Sequence, residues 1–292
     1  MSIQKYRLGC PVWSYRDWKG ELYVRNAQPH EFLSQYARVF NAVEGNTTFH
    51  ALPHYSTAKK WNTNTPEHFR FCFKFPRFVS HIKMLVGVEK YVDMFFNRLK
   101  PVYAKLGPFF LQLPPDFSRQ SLPVLRKFLQ KLPPDFAYAV EVRHPDFFHH
   151  DEVEKEFNAI LAERNIDRVI CDTRHLDLGS HDEPEPFQLP LKDQNGSCSF
   201  VTTGRNPFVR IFINPDFGGI ANILHEWARC VSTWISEGKI PYVFLHSTSD
   251  YHSPHLARQF HQILRNYDPG VGRMPPWPGE SENKTRIQLE LF

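Results

Sequence analysis

At 292 residues, 41% hydrophobic and 23% charged, the chain reads as globular and large enough to bury a core without a metal or disulfide staple. Its net charge of +4 permits an anionic partner but falls short of a strongly basic nucleic-acid-binding domain. No run approaches the roughly 18 apolar residues of a membrane span, so no membrane partner is expected. The polar start Met1–Tyr6 has no signal-like apolar stretch, and five scattered cysteines form no Cys-x-x-Cys pair. A cytoplasmic location with reduced thiols follows as the expectation.

Short β-rich runs alternate with helical ones, the pattern of an α/β protein with a parallel sheet. In chain order the predicted strands are Arg7–Pro11, Val39–Gly45, Phe69–Phe75, Phe109–Leu113, Ala137–Val142, Arg168–Asp172, Phe208–Ile213 and Tyr242–His246. Between them lie amphipathic stretches. Phe32, Leu33, Tyr36 and Phe40 share one helical face; so do Leu122, Leu125, Phe128 and Leu132, then Leu224, Trp227, Val231 and Trp234. Asp151 followed by Glu154 marks a capped helix start. Eight strands with intervening helices predict a single-domain (β/α)8 TIM barrel over residues 1–268. A long Pro-rich connection, Thr173–Asn206, follows the sixth strand. Residues 269–292, rich in Pro and Gly, read as a flexible tail.

Strand side chains alternate between faces, so parity tells which of them share the interior. Phe69, Phe71, Phe73 and Phe75 take one face of the third strand, leaving Arg70, Cys72 and Lys74 for the other. The same count turns inward Glu44 and Asn46, Gln112, Glu141 and Arg143, Asp172, Arg210 and His246. Polar residues thus recur on the inner parity near strand ends, where barrel enzymes build their sites. The plainer alternative is that Arg210 pairs with Glu141 or Asp172 only to neutralise buried charge.

At these residues the chain resembles the YecE-like proteins, also called domain of unknown function 72. The stretches that carry the likeness are Gly9–Ser14, Phe40–Phe49, Phe69–Pro76, Ser80-His81, Leu111–Pro115 and Val140–Pro145. Their order and spacing agree from about Leu8 to Leu264. The resemblance implies a TIM-barrel fold and leaves the reaction open, because that family has no settled activity. Near the eighth strand an Asn-Asn pair is common in the family, whereas Leu245-His246 stands here.

The inner set mixes carboxylates (Glu44, Glu141, Asp172) with cations (Lys74, Arg143, Arg210), beside Asn46, Gln112, His81 and His144. Arginine binds phosphate or carboxylate bidentately and lysine adds a point charge. One reading is a hydrolase or lyase, of phosphodiesterase or endonuclease type, acting on a phosphorylated or nucleic-acid substrate. Glu44 or Glu141 would then be the base, with His144 and Asp172 assisting. Two others are a non-catalytic adaptor for nucleic acid or an anion, and a sugar-phosphate or other small-molecule enzyme with a pocket lined by Trp13, Phe49 and Phe75. Adjacent lysine and arginine would repel a divalent cation, and no His-x-His or His-Glu-x-x-His pattern occurs, so no residue is assigned to a metal and the cofactor is left unknown.

The chain ends Gln288-Leu289-Glu290-Leu291-Phe292. Exposed apolar termini gain nothing from solvent. The segment resembles the pentapeptide by which bacterial repair and replication proteins dock on the DNA sliding clamp. In that reading Leu291 and Phe292 fill an apolar pocket while Leu289 and Gln288 complete the contact. The alternative is an extended strand folded back on the body.

Overall fold

The computed structural model describes residues 5–174, 176 and 200–282. Among them are eight strands: β1 (Arg7–Gly9), β2 (Ala42–Gly45), β3 (Arg70–Phe73), β4 (Phe109–Gln112), β5 (Tyr138–Glu141), β6 (Asp167–Asp172), β7 (Phe208–Ile213) and β8 (Tyr242–Ser247). The helices between them are α1 (Phe32–Val39), α2 (Thr47–His50), α3 (Tyr55–Thr63), α4 (Glu89–Leu99), α5 (Leu122–Lys131), α6 (Glu152–Ala162), α7 (Ile220–Ser236) and α8 (Ser253–Tyr267). All eight strands fall within or overlap the expected spans. Val39 instead ends α1, whose apolar face it shares with Leu33 and Tyr36. Asp151 caps α6 as its sequence context suggests, accepting from Val153 N and Glu154 N.

The strands pair in parallel as two sheets, not one. A six-stranded sheet runs β1-β8-β7-β6-β5-β4, and β2 pairs only with β3. This corrects the expectation of a closed TIM barrel: the fold is a curled, open six-plus-two sheet. The physical reason lies at the two seams. Between β1 and β2, side chains replace the ladder. Leu8 N donates to Asn41 Oδ1 (2.7 Å), Cys10 N donates to Tyr36 Oη (2.7 Å), and Tyr36 Oη donates to Ala42 O (3.0 Å). One direct bond remains, Glu44 N to Cys10 O at 3.2 Å, before Pro11 offers no N–H. Gly9 is required at this seam, since a Cβ there would meet Ala42 O at 2.2 Å. Between β3 and β4 only the isolated bridges Phe71–Leu106 and Lys74–Phe110 connect, with Pro108 between them.

The curl has two apolar layers. Outside, the helices close over the outward strand faces, with Phe69, Phe71, Phe73 and Phe75 all fully buried. Inside, Ala42, Cys72, Phe110, Ala139, Val169, Phe208, Tyr242 and Phe244 form a separate buried plug. Those residues come from β2 through β8, and above them, toward the strands' C-terminal ends, the inner face carries polar side chains. The described part of the expected tail is docked on this body. Trp277 is 1% exposed, with the Arg258 guanidinium 3.4 Å over its ring, and Arg258 pairs with Glu280.

Candidate functional site

The site stands on the inner plug. Phe110 lies under Arg210 with the guanidinium 5.4 Å from its ring, one residue pair above the apolar layer on β7. From that position Arg210 reaches two strands. Its Nε and Nη2 donate to Glu44 Oε2 and Oε1, both at 3.0 Å, and Nη1 donates to Glu141 Oε2 at 2.6 Å. The remaining donors come from neighbouring strand ends. Glu44 also accepts from Asn46 Nδ2 (2.8 Å) and bonds His246 Nε2 (3.0 Å). Glu141 Oε1 accepts from Gln112 Nε2 (2.6 Å) and Arg143 Nε (3.0 Å). Phe212 stacks on the His246 ring at 4.1 Å and fixes its tilt.

Burial by itself would push both carboxyls up. The charges around them win: Arg210 and His246 hold Glu44 well below the usual carboxylate range, while Arg210, Arg143 and Lys74 hold Glu141 down at about 2. Both carboxylates are ionised and hydrogen-bonded on each oxygen. Each Glu44 oxygen meets two partners, whereas Glu141 Oε1 meets two and Oε2 one, so both carboxylates anchor the arginines as charged supports. Of the plainer alternative, pairing of Arg210 with Glu141 or Asp172, the Glu141 half is seen; the second partner is Glu44, and Asp172 pairs elsewhere.

Above the supports lies a cavity of about 410 Å³, lined by Asn46, Phe49, Lys74, Arg77, His81, Gln112, Arg143, Arg210, Phe212 and His246, among others. Glu44 and Glu141 are beneath its floor and do not line it. Two cations on the floor are incompletely used. Arg143, 5% exposed, is tethered through Nε alone; among the described residues neither terminal amino group meets an acceptor. Lys74 is 4% exposed; its Nζ makes no hydrogen bond or ion pair among the described residues and sits 3.8 Å over the Phe49 ring. Burial and then the positive field of Arg210 and Arg143 push the Lys74 amine down to about 7, against the pull of Glu141 and Glu44.

Four sequence candidates are not brought here, one of them Phe75, which packs against Phe95 and Phe96 in the outer layer. Parity placed Asp172 inward, but in the register of β6 it is Cys171 whose parity is inward. The Asp172 carboxylate turns to the helix layer, accepting from Trp227 Nε1 at 2.7 Å and pairing with Arg174. His144 caps the turn after β5, its Nδ1 accepting from Asp146 N. Trp13 packs edge-on against Trp61 and Phe71 on the outer face. Gln288, Leu289, Leu291 and Phe292 lie outside the described residues. Missed by sequence reasoning were Arg77, His50 and Phe212. Phe212 was legible, two residues beyond Arg210 on the same parity; His50 ends the four-residue helix α2 and Arg77 caps the short turn Phe78–Ile82, elements too short for a period to mark. Among the described residues no group of three or more His, Cys, Asp or Glu converges as a metal site.

A family model described as "Protein of unknown function DUF72" matches residues 7–281. The chain belongs to the DUF72 family. This DUF72 chain is 35% identical over 274 residues to the UPF0759 protein YecE of Escherichia coli K12, covering 94% of this chain and 98% of that one. Its likeness to the YecE of Escherichia coli O157:H7 is 34% over the same length. Two solved DUF72 structures share the fold. The protein EF0366 of Enterococcus faecalis matches at TM-score 0.66 and 19% identity over 91% of this chain and 99% of that one. The protein TM1631 of Thermotoga maritima matches at TM-score 0.63 and 23% identity over 89% and 99%. No helix among the described residues is long and apolar enough to cross a membrane.

Proposed function

We propose that the cavity binds a small molecule bearing a phosphate or carboxylate, and that the chain acts on it as a small-molecule enzyme. One observation carries this reading: Arg143 presents two terminal amino groups with no acceptor among the described residues, inside a cavity of about 410 Å³. Arg143 lines the cavity, and a bidentate oxyanion would give both terminal amino groups charge-assisted hydrogen bonds. The volume lies in the range of metabolite sites. The phosphodiesterase or endonuclease reading needs a carboxylate base at the floor, and both Glu44 and Glu141 are already occupied by arginine. An adaptor for nucleic acid would hold its cations along a groove rather than sunk in a cup.

Calorimetric titration and thermal shift with inorganic phosphate test this. Saturable binding that Arg143→Gln abolishes, while the variant stays folded, is the expected result. Stabilisation that chloride or sulfate reproduces with no saturation would overturn the reading. So would tighter binding of a single-stranded oligonucleotide with a steep salt dependence, which belongs to the nucleic-acid alternative.

A further inference from the structure

We infer that Lys74 is a nucleophile that condenses with a carbonyl carbon, and that the ligand is a small aldehyde or ketone also carrying a phosphate or carboxylate. This rests on the anion-binding reading above and adds the reactive centre to it. The geometry separates Lys74 from a structural lysine by direct comparison within the fold. Among the described residues Lys105 is the other buried lysine, and its Nζ donates to Asn62 O (2.6 Å) and Thr65 O (2.7 Å), with Glu67 at 3.7 Å. That is how a lysine is buried for stability: its donors are met. Lys74 is equally sunk but none of its Nζ donors is met among the described residues, although two carboxylates stand nearby on β2 and β5. Arg210 occupies both, and Arg143 and Gln112 take the rest of Glu141.

The surroundings suit a nucleophilic amine. Lys74 is faced by Arg210 from β7, Arg143 and Glu141 from β5 and Glu44 from β2, and its Nζ lies over Phe49 of α2 and 5.7 Å from the Phe110 ring of β4. Burial and the neighbouring guanidinium groups disfavour an ammonium ion, outweighing the cation–π attraction of the Phe49 face, and this frees the lysine's lone pair near neutral pH. The lowered value of about 7 agrees with this arrangement. With the substrate's anionic group in the Arg143 fork, its carbonyl carbon meets Nζ. The nitrogen lone pair forms the C–N bond. The carbonyl oxygen takes one proton from nitrogen and one from solvent and leaves as water, giving an iminium cation that keeps one N–H. No oxidant or reductant is consumed.

The test uses the full chain with pyruvate or dihydroxyacetone phosphate and sodium cyanoborohydride, which delivers hydride to an iminium carbon and fixes it as a secondary amine. Intact mass and peptide mapping should show one addition, on Lys74. Inorganic phosphate should compete with it, and the rate should rise with pH to half its maximum near 7. Lys74→Met preserves shape and Lys74→Arg preserves charge; whichever variant melts like the parent should lose the addition at least tenfold. Labelling confined to exposed lysines such as Lys59 and Lys60, with Lys74 unmodified, would overturn the inference. If phosphate still bound in that case, the anion-binding reading would stand; if it did not, both would fail. Equal labelling of Lys74 by uncharged acetaldehyde would overturn the anionic part of the substrate class.

Discussion

Glu141→Gln is the sharpest probe of how the site is built. The substitution keeps the shape of the side chain but replaces one carboxylate oxygen with an NH2 group. If that group takes the place of Oε1 it confronts Gln112 Nε2 and Arg143 Nε, and in the place of Oε2 it confronts Arg210 Nη1. Donor meets donor either way. The change also removes a negative charge 1% exposed from among Lys74, Arg143 and Arg210. Breaking one partner of a buried, hydrogen-bonded pair costs about 3–5 kcal/mol. For a chain of this length that lowers the melting temperature by on the order of 10 °C. Urea and thermal unfolding at neutral pH should show that loss.

The pH dependence gives a second, independent check. The folded-state value of Glu141, about 2, lies below its ordinary value of 4.5, so its stabilisation is complete above pH 4.5. It is lost as pH falls from 4.5 toward 2. The Glu141 contribution to the difference between parent and variant should therefore be complete above pH 5 and shrink below it, while Lys74, held up by Glu141, adds a separate change near pH 7. A variant melting within a degree or two of the parent would refute the supporting role. It would return Glu141 to the list of candidate bases.

The other expected outcomes concern the frame around the site. Tyr36→Phe removes the hydroxyl that accepts from Cys10 N and donates to Ala42 O across the β1–β2 seam, and should cost about 1–3 kcal/mol in urea unfolding; a change under about 0.5 kcal/mol would show that the seam does not depend on it. Trp277→Ala should cost about 3–5 kcal/mol, since the ring is 1% exposed beneath Arg258, and an unchanged melting curve would mean the 269–282 segment is not part of the folded unit. Docking on a bacterial sliding clamp through Gln288–Phe292 is tested by pull-down against a version lacking residues 288–292. Only the intact chain should bind; equal binding, or none, removes that partner.

Much of the site was legible because a strand's period is two. Counting parity from the buried phenylalanines of β3 turned Lys74 inward, and the same count from Val140 placed Glu141 and Arg143. The count failed at Asp172, since β6 begins a residue earlier than expected and its inner face carries Val169. Trp13 and His144 were not placed by parity. They sit beyond strand ends, where backbone direction is set by the turn and parity no longer applies.

Local sequence therefore determined the order of strands and helices, and which face of most strands is charged. Those follow from hydrophobic period and from short-range backbone preference, which act within a few residues. Whether the sheet closes was decided by tertiary structure, because Tyr36 Oη and Asn41 reach across the β1–β2 seam from outside the two strands that would pair. So was the division of labour among the charges. Three cations and two carboxylates share one inner face, and only their three-dimensional packing assigns both carboxylates to Arg210 and leaves Lys74 Nζ without a hydrogen bond or ion pair among the described residues. Electrostatic pairing depends on distance through space, and a strand's sequence carries no record of it.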